Sequence, residues 1–365
     1  MTDIPKTMRA FVLHRHGDMD ALRFHEDWPV PAVGPDQVLI RVCACGLNNT
    51  DVNTRVGWYS KAVTEATSGD GFETLNDDDP SWGGAAIRFP RIQGADAVGQ
   101  VEAIGDAANP ALLGRRVITD NWLRDWSDPL NRHKTGYFGS ECDGGFAEYA
   151  VIDHRNAIPI DSDLSDAELA TFSCSSSTAE GMLSRAELGA GETVLITGAS
   201  GGVGSALVQL ARRRGARVVA LASEAKHADL AALGADVILP RAPEDLRAAL
   251  MRETGRDSVD VVADIVGGDY FGTVIDVLDR GGRYTCSGAI AGPIVGLDLR
   301  TFYLRDLTFT GSTVLAPHVY PDLVRYIEAG EIKPVLAGTY PLADLKQAQQ
   351  AFIDKKHTGN IVVVP

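Results

Sequence analysis

The sequence predicts an α/β protein that combines a doubly wound parallel sheet with a mostly β, partly barrel-shaped domain. Up to about residue 158 the chain consists of short β-like runs bounded by Gly, Pro, Asn and Asp. From about residue 160, apolar runs of about four to eight residues alternate with helical patterns, which is typical of βαβ units. The length of 365 residues is enough for two or three such domains.

Six apolar runs are the predicted strands of the parallel sheet: residues 193–197, 217–222, 236–239, 259–266, 282–288 and 307–312. Helical patterns separate them, and most of these patterns end at Gly, a common residue just beyond a helix. After residue 312 another helical pattern, PDLVRYIEAG, leads to the β-like tail NIVVVP. We expect this tail to return to the first domain.

Composition and charge argue against several classes of protein. The 34 Lys and Arg residues face 49 Asp and Glu residues, and the net charge of -15 repels nucleic acids and anionic membranes. The sequence has neither an uncharged apolar run long enough to cross a bilayer nor a signal-peptide pattern. Its five cysteines are scattered, without a CxxC pair. We therefore expect a cytoplasmic protein with free thiols, no nucleic-acid partner and no membrane partner.

A glycine-rich turn follows the first predicted strand and precedes a helical pattern. The glycine at 201 lets a pyrophosphate approach the backbone, and the glycine at 204 allows close packing of helix on strand. The helix N-terminus adds free N–H groups and a partial positive charge. The turn therefore predicts a Rossmann-type dinucleotide site, with a purely structural turn as the alternative. Its residues are Ala199, Ser200, Gly201, Gly202, Val203 and Gly204.

The end of the second predicted strand bears on cofactor preference. An enzyme selective for NAD usually has Asp or Glu there to hold the ribose hydroxyls, whereas this strand ends at Ala222. Ser223 and Lys226 follow, and they offer a hydroxyl and an ammonium to a 2′-phosphate. The alternative is that Ser223 only caps a helix and Lys226 is a solvated residue in its first turn. We predict a preference for NADPH.

The motifs along nearly the whole chain resemble the medium-chain dehydrogenase/reductase superfamily, and within it the zinc-independent quinone oxidoreductase-like branch. The resemblance is carried by the strand VLIRV with the residues that follow it to Tyr59, by FPRIQGADAVGQVEAIG and GGFAEYAVID, and by the tail HTGNIVVVP. It implies a GroES-like catalytic domain of residues 1–158 and 313–365 and a Rossmann domain of residues 159–312. It also implies a homodimer formed through strands near residues 283–313.

The positions that hold catalytic zinc in similar enzymes carry other residues here. Asn48 stands where the first Cys would be, Ala95 and Asp96 replace the His and Glu, and Cys174 alone keeps a thiol. One thiol and one carboxylate do not make the three-ligand site that catalytic zinc needs. The segment that holds a structural zinc in such enzymes contains only Cys142. We predict no metal, and the alternative reading of Cys174 is a small buried residue.

The resemblance also implies roles for single residues. Asn48 and Tyr59 would line the cleft near the nicotinamide, and Thr178 would pack at the face of hydride transfer. The alternatives are wall residues without a catalytic role and, for Thr178, a helix cap. Ligands lie beyond the carboxyl ends of parallel strands, which adds Val266, Ser287 and Gly288 as candidate cofactor contacts. The resemblance implies that Val266 lies near the adenosine and that Ser287 and Gly288 lie near the carboxamide, and it adds Asn360 in the tail.

Together these expectations predict an NADPH-dependent, zinc-independent oxidoreductase that passes hydride to a quinone, an enone or a similar conjugated carbonyl compound. One alternative is a zinc-free alcohol or aldehyde dehydrogenase, and another is a nucleotide-binding sensor or structural protein with little turnover. The long irregular stretch at residues 60–88, with Trp82 and two glycines, is expected to cover the acceptor cleft.

Overall fold

A computed structural model of the chain describes residues 4–72, 75 and 86–365. Its strands are β1 (Thr7–Leu13), β2 (Leu22–Pro29), β3 (Gln37–Gly46), β4 (Asp96–Ile104), β5 (Arg116–Thr119), β6 (Trp122–Arg124), β7 (Thr135–Tyr137), β8 (Tyr149–Asp153), β9 (Ala157–Pro159), β10 (Thr193–Ile196), β11 (Arg217–Ala222), β12 (Val237–Pro240), β13 (Val259–Asp264), β14 (Leu278–Cys286), β15 (Thr308–Gly311), β16 (Leu336–Pro341) and β17 (Asn360–Val364).

The helices are α1 (Asn49–Val56), α2 (Asp166–Leu169), α3 (Ser173–Arg185), α4 (Gly202–Arg213), α5 (His227–Leu233), α6 (Leu246–Thr254), α7 (Phe271–Asp276), α8 (Leu299–Leu304), α9 (Val319–Glu328) and α10 (Leu345–Ile353). None of the helices in the described ranges is long and apolar enough to span a membrane.

Six strands form a parallel sheet in the order β12-β11-β10-β13-β14-β15. The order runs outward in both directions from β10, so the predicted doubly wound sheet is confirmed. The strand predicted at 259–266 ends earlier, at Asp264, because its carboxylate accepts the N–H of Val266 at 2.8 Å and draws the chain into a turn. The strand predicted at 282–288 begins earlier, at Leu278.

The alternation of side chains along β10 explains why helices cover both faces of this sheet. Val194 and Ile196 point into one core, where they pack with Leu207 of α4. Leu195 points to the opposite face and belongs to a second core with Leu250 of α6. Since Val194, Leu195 and Ile196 are all apolar, burial of both faces is the favourable arrangement.

The second large sheet is mostly antiparallel and has the order β16-β17-β3-β4-β5-β9, with β8 also paired to β3. The C-terminal strand β17 runs antiparallel to β3, and Val363 lies opposite Cys45. The tail therefore joins the N-terminal sheet. The domain limits at residues 158 and 313 stay a prediction.

The tail also contacts the dinucleotide half. The N–H of Gly359 donates to the carbonyl of Ser200 at 2.8 Å, and Gly359 forms an isolated bridge with Gly201. The start of α4 is thereby held beside the start of β17. The candidate site lies at this junction.

Candidate active site

A cavity of about 450 Å³ lies beyond the carboxyl ends of β10 and β14, next to the first turn of α1. The residues named from the sequence that line it are Asn48, Tyr59, Thr178, Gly202, Val203, Ser287, Gly288 and Asn360. Of the part of the chain that the structure describes, the following predicted residues lie outside the lining: Ala199, Ser200, Gly201, Gly204, Ser223, Lys226 and Val266. The structure thus brings the predicted catalytic residues together with two of the six residues of the predicted turn.

The glycines of the turn differ in how much space surrounds them: some are in close contact with other atoms, and one leaves the start of α4 open to a ligand. Gly201 caps α4, and a Cβ there would meet only the carbonyl of Gly198, at 3.6 Å. A Cβ at Gly204 would overlap that same carbonyl oxygen, so this position requires glycine for packing of helix on strand. A Cβ at Gly202 would overlap the amide oxygen of Asn360. The N-terminus of α4 therefore faces the cavity with little side-chain cover, which suits an anionic ligand.

The remaining turn and strand-end residues have defined contacts. Ala199 is fully buried behind the turn. Ser287 donates its hydroxyl to the carbonyl of Ser312 at 2.6 Å. The hydroxyl of Ser175 donates to Oδ1 of Asn360 at 2.9 Å, which orients the amide of that tail residue at the cavity wall. The predicted cofactor roles of these residues stay predictions.

Ser223 and Lys226 lie at the end of β11, away from the cavity lining. Ser223 precedes a short 3-10 turn, Glu224–Lys226, and its side chain makes no capping hydrogen bond. The ammonium of Lys226 donates to the carbonyl of Lys356 in the tail. Both groups are accessible to a ligand that extends from the α4 N-terminus along β11.

A network of buried polar side chains occupies the place where similar enzymes hold zinc. Asp96 accepts hydrogen bonds from the amide of Asn121 at 3.2 Å and from the backbone N–H of Cys174 at 3.0 Å. Asn121 also donates to the hydroxyl of Tyr137 at 3.1 Å. Burial raises the pKa of Asp96 to about 8 and that of the Cys174 thiol well above its usual range. These groups are therefore held largely neutral near neutral pH.

Asn48 lies between this network and the cavity. Its exposed fraction is 6%, and its Nδ2 makes no hydrogen bond of good geometry to the described residues. The amide is close enough to Asp96 to oppose the rise in the pKa of that carboxyl, but the two do not form a hydrogen bond of good geometry. A buried donor without a partner costs about 1–3 kcal/mol, so it is suited to take an oxygen of a bound ligand.

Two charged residues of α1, Asp51 and Arg55, make contacts that hold the helix in place. Asp51 accepts the backbone N–H of Asn48 at 2.8 Å, and burial raises its pKa to about 7. Arg55 is fully buried and donates to the carbonyls of Gly17 at 2.8 Å and Gly69 at 2.9 Å. These contacts hold α1 in the place from which Asn48 reaches the cavity.

Tyr59 and the first part of the following loop form one wall of the cavity. The hydroxyl of Tyr59 hydrogen-bonds with the side chain of Asn53, and burial raises the pKa of Tyr59 above its usual range. Asn53 also accepts the hydroxyl of Thr67 at 3.1 Å. The N–H of Thr67 donates to the carbonyl of Ile290 at 3.1 Å, so the loop reaches across to the dinucleotide half. Trp82 and its neighbouring glycines lie outside the described residues.

The sequence analysis missed several residues of the cavity wall, among them Tyr137, Trp122 and Asn53. Nothing in the composition of the segment from 123 to 142 indicates that Tyr137 reaches Asn121. Asn53 lies in the polar run between Asn48 and Tyr59, and this position was the available signal.

Comparisons with known proteins agree with this architecture. Residues 34–162 match the family model of the alcohol dehydrogenase GroES-like domain, and residues 202–329 match that of the zinc-binding dehydrogenases. The acryloyl-coenzyme A reductase of Metallosphaera sedula is 26% identical over 98% of this chain and 99% of its own. The chloroplastic NADPH-dependent alkenal/one oxidoreductase of Arabidopsis thaliana is 28% identical over 99% and 81% of the two chains.

A crystal structure from Sinorhizobium meliloti, described as a candidate alcohol dehydrogenase, is 44% identical and covers 100% of this chain and 98% of its own with a TM-score of 0.90. A doubly wound sheet beside a GroES-like domain defines the alcohol dehydrogenase-like class of oxidoreductases. The chain belongs to the medium-chain dehydrogenase/reductase superfamily, as the resemblance implied.

Although one matching family model is that of zinc-binding dehydrogenases, the residues at the zinc position do not fit a catalytic zinc ion. Ala95 offers no ligand atom, and the carboxylate of Asp96 is engaged by Asn121 and by the Cys174 backbone. The raised pKa of Cys174 disfavours the thiolate that zinc requires. No group of three or more His, Cys, Asp or Glu side chains within residues 4–72 and 86–365 is arranged to hold a metal.

We therefore expect the purified protein to contain less than one zinc per chain and to keep its activity after treatment with a chelator. Elemental analysis before and after dialysis against the chelator, with activity measured on the same samples, checks this. A zinc-dependent alcohol dehydrogenase treated in parallel serves as the control. One tightly held zinc per chain, with activity lost on its removal, would contradict the expectation.

Proposed function

We propose that this protein is an NADPH-dependent, zinc-independent oxidoreductase whose acceptor is a conjugated carbonyl compound such as an enone, an enoyl thioester or a quinone. The observation that carries the proposal is the unpartnered amide donor of Asn48 in the wall of an uncharged cavity beside the N-terminus of α4. The names of the similar acryloyl-coenzyme A reductase and alkenal/one oxidoreductase support the same acceptor class.

In this proposal the chain binds, orients and stabilises, while bound NADPH supplies the hydride. The α4 N-terminus holds the pyrophosphate through its free N–H groups. Asn48 donates to the oxygen that gains negative charge when hydride adds to the conjugated system. Tyr59, whose raised pKa keeps its hydroxyl protonated, and Thr178 complete the polar wall around that oxygen.

The proposal is tested by steady-state oxidation of NADPH with a panel of quinones, enones and enoyl thioesters. Simple aldehydes, and alcohols with NADP, are included because similarity to the Sinorhizobium meliloti structure favours a zinc-free alcohol dehydrogenase as the second candidate. Turnover confined to conjugated acceptors supports the proposal. Turnover of simple aldehydes and alcohols alone would favour the second candidate, and tight NADPH binding without any turnover would favour a nucleotide-binding sensor.

We also propose that the loop at residues 60–88 covers the acceptor. Its described part already contributes Thr67 to the cavity wall and bonds to Ile290. Deleting the middle of the loop is expected to weaken the apparent affinity for the acceptor more than the affinity for NADPH. Michaelis constants for the acceptor and dissociation constants for NADPH measure the two effects. A larger loss for NADPH would show that the loop is not an acceptor lid.

The predicted homodimer is supported by the free edge of the parallel sheet. Strand β15 ends the strand order, and large apolar side chains beside it are exposed, including Ile294, Leu299, Tyr303 and Leu304. Exposed apolar patches of this kind mark interaction surfaces. We expect light scattering to give twice the mass of one chain, and we expect Leu299→Glu to shift the protein toward monomer. A monomeric wild type would contradict this.

A further inference from the structure

The described residues that line the cavity include no charged side chain. Their polar atoms come from amides, hydroxyls, thiols and an indole, together with the backbone. A dinucleotide brings a pyrophosphate with two negative charges into this space, and the α4 N-terminus offers only a partial positive charge. A positively charged side chain that binds the pyrophosphate would therefore belong to a residue just outside the lining.

Lys355 is placed to be that cation. Its Nζ lies 2.9 Å from Oδ1 of Asn49 and 3.7 Å from the centre of the Phe352 ring, and both of these residues line the cavity. In the described parts of the chain, no carboxylate lies at ion-pair distance from this ammonium. Partial desolvation lowers the pKa of Lys355, while the residue as a whole stays exposed and accessible to a ligand.

The backbone at Lys355 is in a left-handed conformation. The residue follows the C-cap of α10 and has a φ of 54°. Glycine is usual at such a position, because a Cβ is strained there, and it stands there after α5 and α6, at Gly234 and Gly255. Glu187 and Asp306 also have a positive φ, of 50° and 54°, so the case for Lys355 rests on its contacts at the cavity and not on its backbone.

We propose that Lys355 binds the pyrophosphate of the dinucleotide, with Asn49 holding its ammonium in place until the cofactor arrives. The proposal rests on the proposed function, since it takes NADPH as the ligand. Asn49 is a neutral partner, so the ammonium can leave it for a phosphate at small cost compared with leaving a carboxylate. Phosphate groups of an acceptor, such as those of a coenzyme A thioester, have the same chemistry and are the rival source of the anion.

The test uses Lys355→Gly, which removes the ammonium and suits the left-handed backbone. Titration calorimetry measures the dissociation constants of NADPH, NADH and ADP-ribose, which all contain the pyrophosphate. We expect all three to weaken by about ten- to a hundredfold, with an unchanged ratio between NADPH and NADH. Lys355→Arg is expected to retain most of the affinity. Lys346→Ala, which removes a lysine of α10 that has no contact with Asn49 or Phe352 among the described hydrogen bonds and ring contacts, is the control for net charge.

Salt dependence separates a charge contact from a structural role. Wild-type affinity for ADP-ribose is expected to fall more steeply with ionic strength than that of Lys355→Gly. Equal slopes, or unchanged dissociation constants, would overturn the proposal. So would a loss confined to NADPH, which would assign Lys355 to the 2′-phosphate, or a raised Michaelis constant for a coenzyme A thioester alone. Binding without turnover would contradict the proposed function and leave this inference standing, whereas a wild type that binds no dinucleotide would overturn both.

Discussion

Replacing Asn48 by alanine is expected to lower kcat for reduction of a conjugated carbonyl by about 10²- to 10³-fold, the usual loss when one donor to a developing oxyanion is removed. The amide is 6% exposed and its Nδ2 makes no hydrogen bond of good geometry to the described residues. It can therefore donate to the acceptor oxygen as that oxygen gains charge, without first breaking such a bond. The loss is expected in kcat rather than in the affinity for NADPH.

Asn48 also precedes α1, so the capping role has to be separated from the catalytic one. Asn48→Ser keeps a side-chain oxygen that can cap the helix, but the shorter side chain places its donor group farther from the cavity. Loss of a cap costs about 1 kcal/mol. We expect both variants to lose a similar part of kcat, with Asn48→Ala alone losing thermal stability. Single-turnover rates and melting temperatures measure the two effects. A kcat unchanged in both variants would show that Asn48 is only a wall residue.

The acidic residue beside Asn48 explains why an amide, and not a metal ligand, suits this position. Burial raises the pKa of Asp96 to about 8 and that of Asp51 to about 7, so both carboxyls carry less charge near neutral pH than exposed carboxyls do. A neutral surrounding leaves the charge of the enolate to be stabilised by hydrogen bonds. The network of Asn121 and Tyr137 then fixes the position of Asp96 rather than supplying a ligand.

Local patterns were sufficient to predict the parallel sheet. Val194 to Ile196 and Val218 to Leu221 are apolar on both faces, and few environments other than a covered parallel sheet accommodate such runs. The strand ends were less predictable. The early end of β13 depends on Asp264, whose carboxylate accepts hydrogen bonds from Thr197 and Tyr284 as well as from the turn. Two of these donors lie 67 and 20 residues away in sequence, so local patterns do not reveal them.

The same reason limits prediction of the site. The turn at 199–204 could be recognised because its residues are contiguous. The position of the Lys355 ammonium beside the cavity could not be recognised from the sequence. It depends on Asn49, a residue 306 positions earlier that becomes a neighbour of Lys355 only when β17 pairs with β3. Resemblance to a family predicts some of these distant site residues, but only at positions where the members of the family share the same residue.

Replacing Lys226 by alanine is expected to reduce the preference for NADPH over NADH by about ten- to a hundredfold, because a charged hydrogen bond contributes roughly 1.5–3 kcal/mol. Ala222 leaves no carboxylate at the strand end to repel a 2′-phosphate. The ammonium of Lys226 is held by the carbonyl of Lys356, a neutral partner that a phosphate can displace. The hydroxyl of Ser223 is not used in capping and adds a second donor.

The nearby acidic groups do not cancel this effect. The carboxylate of Asp229 accepts the hydroxyl of Thr358 at 2.6 Å, and Glu224 is exposed to water, whose high dielectric constant weakens its repulsion of a phosphate. Dissociation constants of both cofactors at two salt concentrations, for wild type, Lys226→Ala and Ser223→Ala, provide the test. Lys355→Gly is the matched contrast, since it is expected to weaken both cofactors equally. A wild type that binds NADH as tightly as NADPH, or unchanged discrimination in Lys226→Ala, would mean that residues 223–226 only begin a helix.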